Sequence, residues 1–368
     1  MVRRSIIIAA IAAYLGIMLL GVRASKHEDL GSGPAVAYGG NRAAFADVMP
    51  YRGVAMQIQR TDWIDSYAQS IDKIADLGAD TIILIVDSRM ENGGASRIYL
   101  DLRTTPTVPQ ISELIDKAKS RKLRVILMPI VLLDKPRSDT EWRGSIKPEN
   151  WDDWFDSYRA MITHYAGIAK DHHVDVLTVG SELVSSEEHP DQWALTIKSV
   201  RSIFQGQLTY SSNWDHYTDV PFWDKLDMIG INGYWKFTDD VKHVPTDEEI
   251  SKHWREIQGS LLPWVAKTGK PMMFIEIGYF SMSNSAFEPW DYTKTDMYPV
   301  DLDLQKRLYE GFFQAWADPE VNRLLAGYTI FEWSPDKSGS TDKGYTPQGK
   351  PAEDVLRQWF AKPKWKVE

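Results

Sequence analysis

Cysteine is absent from this chain of 368 residues. That excludes disulfides, thiolate nucleophiles and cysteine-based zinc sites. Runs of Lys and Arg are absent too, and the formal net charge is −9, which argues against nucleic acid as a partner. The eight histidines form no His-x-His or His-Glu-x-x-His spacing, so no metal site is expected, and nothing in the sequence asks for a cofactor. With no Gly-x-Ser-x-Gly elbow, a serine hydrolase has no foothold. No Gly-rich phosphate fingerprint follows the first strand-like run, and no repeat of solenoid period is visible.

What is present is a body with 43% hydrophobic and 25% charged residues, the balance of a soluble globular protein. Fifteen Trp and sixteen Tyr are many for this length. Such rings stack on the apolar faces of sugars, but they also fill cores. At the N-terminus, Arg3 and Arg4 precede an apolar run from Ile6 to Val22. This reads as a signal peptide or a retained membrane anchor over residues 1–24, and either one exports the body. The only membrane association expected is through that segment, if it is not removed. Residues 25–49, with Gly31-Ser32-Gly33-Pro34 and Gly39-Gly40, read as a linker. Residues 362–368 read as a tail.

Between them, over residues 50–361, apolar strand-like runs alternate with amphipathic stretches of helical period. Strands are expected at Gly53 to Ile58, Thr81 to Val86, Arg124 to Val131, Val176 to Glu182, Leu208 to Ser212, Leu226 to Ile231, Met272 to Glu276 and Ala326 to Trp333. Helices are expected between most of them, one beginning at Trp151 behind an Asn150 cap. No clear helix separates the fifth and sixth strands. Eight near-continuous apolar strands point to an α/β fold, a single (β/α)8 TIM barrel. A doubly wound open sheet is the alternative.

Barrel enzymes carry their chemistry at the C-terminal ends of the strands. Two glutamates stand there, Glu182 at the end of the fourth strand and Glu276 at the end of the seventh. Burying an ionised carboxylate is costly unless it is paired, so two such acids need a reason. One fits: a protonated acid and an ionised nucleophile facing each other across a glycosidic bond. Other strand ends supply Ser181, Asn213, Trp214, His216, Tyr234, Trp235, Tyr279, Glu332 and Trp333 as candidate sugar contacts. Tyr234 is a natural donor to the nucleophile, and Trp333 a floor for the sugar ring. The expected partner is a polysaccharide or oligosaccharide.

Several stretches resemble glycoside hydrolase family 113, within the clan of retaining barrel glycosidases. They are Glu141-Trp142-Arg143-Gly144 with Pro148, Trp151 through Tyr165, Val179-Gly180-Ser181-Glu182-Leu183, and Lys270-Pro271 through Glu276-Ile277-Gly278-Tyr279. The resemblance implies Glu182 as acid/base, Glu276 as nucleophile, Tyr234 as the residue orienting it, Trp333 lining the cleavage subsite, and β-1,4-mannan as substrate. The chain departs from the clan in carrying Ser181 where Asn usually precedes the acid/base. A barrel that binds polysaccharide without cleaving it, or a transglycosylase, would share the same cleft.

Overall fold

The computed structural model describes residues 50–317 and 323–364. The segments read as signal or anchor and as linker, residues 1–49, lie outside the described residues, as does the end of the tail from residue 365. No helix among the described residues is long and apolar enough to cross a membrane.

Eight parallel strands close on themselves. They are β1 (Tyr51–Ile58), β2 (Thr81–Met90), β3 (Arg124–Leu133), β4 (Val176–Ser181), β5 (Gln207–Asn213), β6 (Ile229–Asn232), β7 (Met272–Ile277) and β8 (Leu325–Ile330). β1 pairs with both β2 and β8, which shuts the barrel. A two-residue strand, Ile98–Tyr99, adds an antiparallel pairing to the end of β2. Seven α-helices are described: α1 (Ile64–Asp76), α2 (Val108–Ser120), α3 (Trp151–Asp171), α4 (Pro190–Ile203), α5 (Asp247–Thr268), α6 (Leu302–Trp316) and α7 (Pro351–Phe360). Between β5 and β6 there is only a 3-10 turn, Trp223–Lys225, in keeping with the missing helical period there.

The strands read as unbroken apolar runs because both faces are buried. In β2, Ile82 and Leu84 join the core between sheet and helices, while Ile83 and Ile85 join the core inside the barrel. β3 repeats the alternation with Val125 and Leu127 outside and Ile126, Met128 and Ile130 inside. Asn150 caps α3, its side chain accepting from Asp152 N at 2.9 Å. This satisfies a helix-start donor that would otherwise be orphaned.

The alternation breaks at β7, and the break positions the site. Phe274 belongs to the outer core and Ile275 to the inner one, yet Ile277 returns to the outer core after only two residues. Register shifts flank the intervening Glu276 on both sides, between Ile231 and Asn232 against β6 and between Phe274 and Ile277 against β8. An irregularity of this kind re-aims a side chain. Here it turns Glu276 away from the helices, where strict period-two geometry would have sent it.

Candidate active site

Glu182 follows β4 directly, with a backbone φ of 53°. A left-handed conformation is strained for a residue with a side chain and persists only where its surroundings enforce it. Here the peptide groups on both sides are held. Glu182 N donates to Ser211 O at 2.8 Å, and Leu183 N donates to the Tyr210 hydroxyl at 2.8 Å. Two residues earlier, a Cβ on Gly180 would fall within 2.9 Å of Trp193, Tyr158 and Tyr210. Glycine there lets three aromatic side chains close on the strand.

The Glu182 carboxylate has two donors. Arg143 Nη2 donates to Oε2 in an ion pair, and Asn232 Nδ2 donates to Oε1 at 2.9 Å. Arg143 opens a 3-10 turn, Arg143–Ser145, in the loop between β3 and α3. Behind it the Trp142 ring lies over Gly144, where a Cβ would come within 2.3 Å of that ring. Asn232 ends β6 and accepts from Ser211 Oγ at 2.7 Å through its own oxygen, which fixes the orientation of its amide.

Glu276 is 6% exposed and accepts from the Tyr234 hydroxyl at 2.7 Å. Burial, then the charge of Glu182, raise its pKa to about 8, while the Tyr234 hydrogen bond and the charge of Arg143 pull it down. Tyr234 is itself pushed well above its ordinary value, by burial first and then by Glu276. It belongs to a small cluster with Phe280, Met282 and Tyr345, against which Trp214 and Phe331 pack. The two acids thus interact electrostatically while standing in different surroundings, one ion-paired and one held by a phenol.

The remaining expected residues divide. Ser181 Oγ, Asn213 Oδ1 and Trp333 Nε1 are buried atoms without a hydrogen-bond partner among the described residues. Trp214 stacks on Trp290 with centroids 5.7 Å apart. Trp235 packs edge-on against Trp254 and Phe274, at the margin of the outer core. Tyr279 is fully buried between Phe237 and Tyr309. His216 faces carboxylates with both nitrogens, Glu187 at 2.9 Å and Asp219 at 3.6 Å. Glu332 accepts from Gln57 Nε2 at 2.8 Å, and burial raises its pKa. The polar ends of β2 and β3 neutralise one another: Arg89 meets Asp87 at 2.5 Å and Asp134 at 3.4 Å.

The model of Glycoside Hydrolase Family 113 matches residues 54–350. The chain belongs to glycoside hydrolase family 113. A family 113 β-mannanase from Alicyclobacillus acidocaldarius, solved in complex with ManMIm, is 30% identical, and the match covers 86% of this chain and 99% of that one at a TM-score of 0.75. A family 113 β-1,4-mannanase at 23% identity, covering 86% of this chain and all of its own, shares the fold at a TM-score of 0.76. So does a family 5 glycoside hydrolase from Streptomyces cattleya, at 14% identity, 86% and 82% coverage and a TM-score of 0.53. No curated protein matches the chain.

In this family 113 glycoside hydrolase, two groups on Glu182 carried little signal in the sequence. Arg143 lies in one of the stretches that carry the family resemblance, but a lone arginine in a loop points to nothing by itself. Asn232 is visible as a strand-end residue, yet only the pairing of β6 with its neighbours shows that it reaches the β4 glutamate. Trp290, stacked on Trp214, stands in a loop without periodicity.

Proposed function

We propose that this glycoside hydrolase cleaves a β-linked polysaccharide or oligosaccharide, β-1,4-mannan foremost, with retention at the anomeric carbon. The observation that carries this reading is the unlike setting of two interacting carboxyls, Glu182 on Arg143 and Asn232, Glu276 on Tyr234. Pairs of titratable groups pushed apart by their surroundings mark acid and base assignments. Near neutral pH the pair carries one proton, because burial and the charge of Glu182 hold Glu276 up at about 8.

At rest that proton sits on Glu276, since Arg143 is ion-paired with Glu182. The first step needs it transferred to Glu182, from which it serves the leaving oxygen. The Glu276 carboxylate attacks the anomeric carbon, the glycosidic C–O bond breaks, and a glycosyl ester forms on Glu276. Tyr234 and Arg143 are the groups that stabilise negative charge on Glu276 when the proton is on Glu182. In the second step the Glu182 carboxylate takes a proton from water. The water oxygen bonds to the anomeric carbon and the Glu276 carboxylate departs. Trp333 is the floor of this subsite, and Ser181 and Asn213 are its hydroxyl partners. Mannan is favoured by the β-mannanase at 30% identity. Export is favoured by Arg3, Arg4 and the apolar run behind them, with residues 1–24 as signal or anchor and 25–49 as linker.

The test is turnover of manno-, gluco- and xylo-oligosaccharides by the full chain, with the first-formed product anomer read by NMR. Retained β-anomer from manno-oligosaccharides is expected. Inverted product would overturn the mechanism, and binding without cleavage of any of the three would overturn the activity.

A further inference from the structure

Glu187 is a buried carboxylate for which the double displacement has no use. It lies on the 3-10 turn Val184–Glu188 and is 4% exposed. Burial pushes its pKa up to about 7, against the pull of Tyr210 and His216. Tyr210, on β5 and fully buried, donates its hydroxyl proton to Glu187 Oε1 at 2.6 Å. The same phenolic oxygen accepts the Leu183 N–H at 2.8 Å. His216 Nε2 stands 2.9 Å from the other Glu187 oxygen. This line of contacts ends on the peptide group joining Glu182 to Leu183.

A phenol has one proton to give. With that proton committed to Glu187, the lone pairs of Tyr210 are turned towards Leu183. Without the carboxylate, the O–H is free to rotate and the acceptor is lost. The peptide it holds sets the backbone of Glu182, whose φ of 53° needs enforcement. We propose that Tyr210 and Glu187, backed by His216, are positioning residues that fix the Glu182 backbone so that its carboxyl meets the leaving oxygen. The proposal rests on Glu182 being the acid.

A merely structural role would weaken all substrates alike, whereas misplacing an acid harms only those whose leaving group needs a proton. The experiment compares kcat/KM of the full chain for an oligosaccharide and for a dinitrophenyl glycoside of the same sugar. Tyr210→Phe and Glu187→Ala are expected to lose about tenfold or more on the oligosaccharide and no more than about threefold on the activated glycoside. Glu187→Gln, whose amide oxygen accepts the same hydrogen bond, is expected to restore the wild-type ratio. His216→Asn acts at the partly exposed end of the line, where folding is least at risk. It is expected to give a smaller loss with the same selectivity, and it carries the test if the buried variants fail to fold. Equal losses on both substrates, or none on either, would overturn the proposal. Glu182→Gln separates the two levels. If it shows the selective loss and the Tyr210 and Glu187 variants do not, the positioning role alone fails; if it spares neither substrate or both, the assignment of Glu182 fails first.

Discussion

Asn232 Nδ2 donates to Glu182 Oε1 at 2.9 Å, from the strand that pairs with the one bearing Glu276. In that pairing Asn232 stands in register with Glu276 itself. One amide on β6 therefore lies between both acids, touching one by its side chain and the other strand by its backbone. It also supplies an amide at the acid where the residue before Glu182 is a serine.

Asn232→Ala removes a donor from Glu182 and leaves Ser211 Oγ without its acceptor, since that hydroxyl donates to Asn232 Oδ1 at 2.7 Å. Leaving such buried groups unpaired costs about 1–3 kcal/mol. A fall of that size in urea-melt stability is expected, with a fall in kcat larger than any rise in KM. Unchanged stability together with unchanged kcat would show that the amide neither braces nor orients the acid.

Tyr234→Phe keeps the ring in its cluster and removes the hydroxyl that donates to Glu276. That hydrogen bond lowers a pKa which burial and Glu182 have raised to about 8. Its loss moves the value further up. The alkaline limb of the kcat/KM profile, set by loss of the pair's last proton, should shift to higher pH, and kcat/KM at the optimum should fall by about 10–100-fold. A limb that stays in place or moves down would contradict the electrostatics given for this pair.

Much of the frame was legible because barrel strands are buried on two faces. The runs at Thr81, Arg124, Val176 and Met272 are apolar enough to mark themselves, and α3 begins at Trp151 behind the Asn150 cap, as expected. The absent helix between β5 and β6 was equally readable. The bulge around Glu276 was not. Counting by two from Phe274 aims that carboxyl at the helices, and only the register shifts against β6 and β8 undo this. Arg143 was illegible for a different reason: its contact with Glu182 spans 39 positions and depends on a loop that local spacing does not describe. Glu187 lies in a short polar stretch, Ser185-Ser186-Glu187-Glu188, that gives no hint of burial.

Glu182→Gln should separate the two acids by leaving group. Oligosaccharides need a proton on the departing oxygen, so their turnover should fall by about 100-fold or more. Dinitrophenyl glycosides need none, so glycosylation of Glu276 should be largely spared and its alkaline limb should vanish. Glu276→Ala removes the proposed nucleophile and should abolish turnover of both. If Glu182→Gln turns over the two substrates with equal loss, proton donation belongs to another group.

The raised pKa of Glu276 also predicts how stability depends on pH. Its ordinary value is 4.5, and in the folded chain it is about 8. Between these values the folded state keeps a proton that the unfolded state has released. The group's contribution to stability is therefore complete below about pH 4.5 and is lost as pH rises towards and through about 8. Glu276→Gln has a similar shape and no titration, so it should remove this slope. Urea melts of both proteins at about pH 5 and about pH 9 measure the difference. The variant should gain on the wild type over that interval by on the order of 2–4 kcal/mol. Parallel stability curves would mean that Glu276 ionises in the fold as easily as in the unfolded chain. The shared proton, and with it the acid/nucleophile pairing of Glu182 and Glu276, would then lose its physical basis.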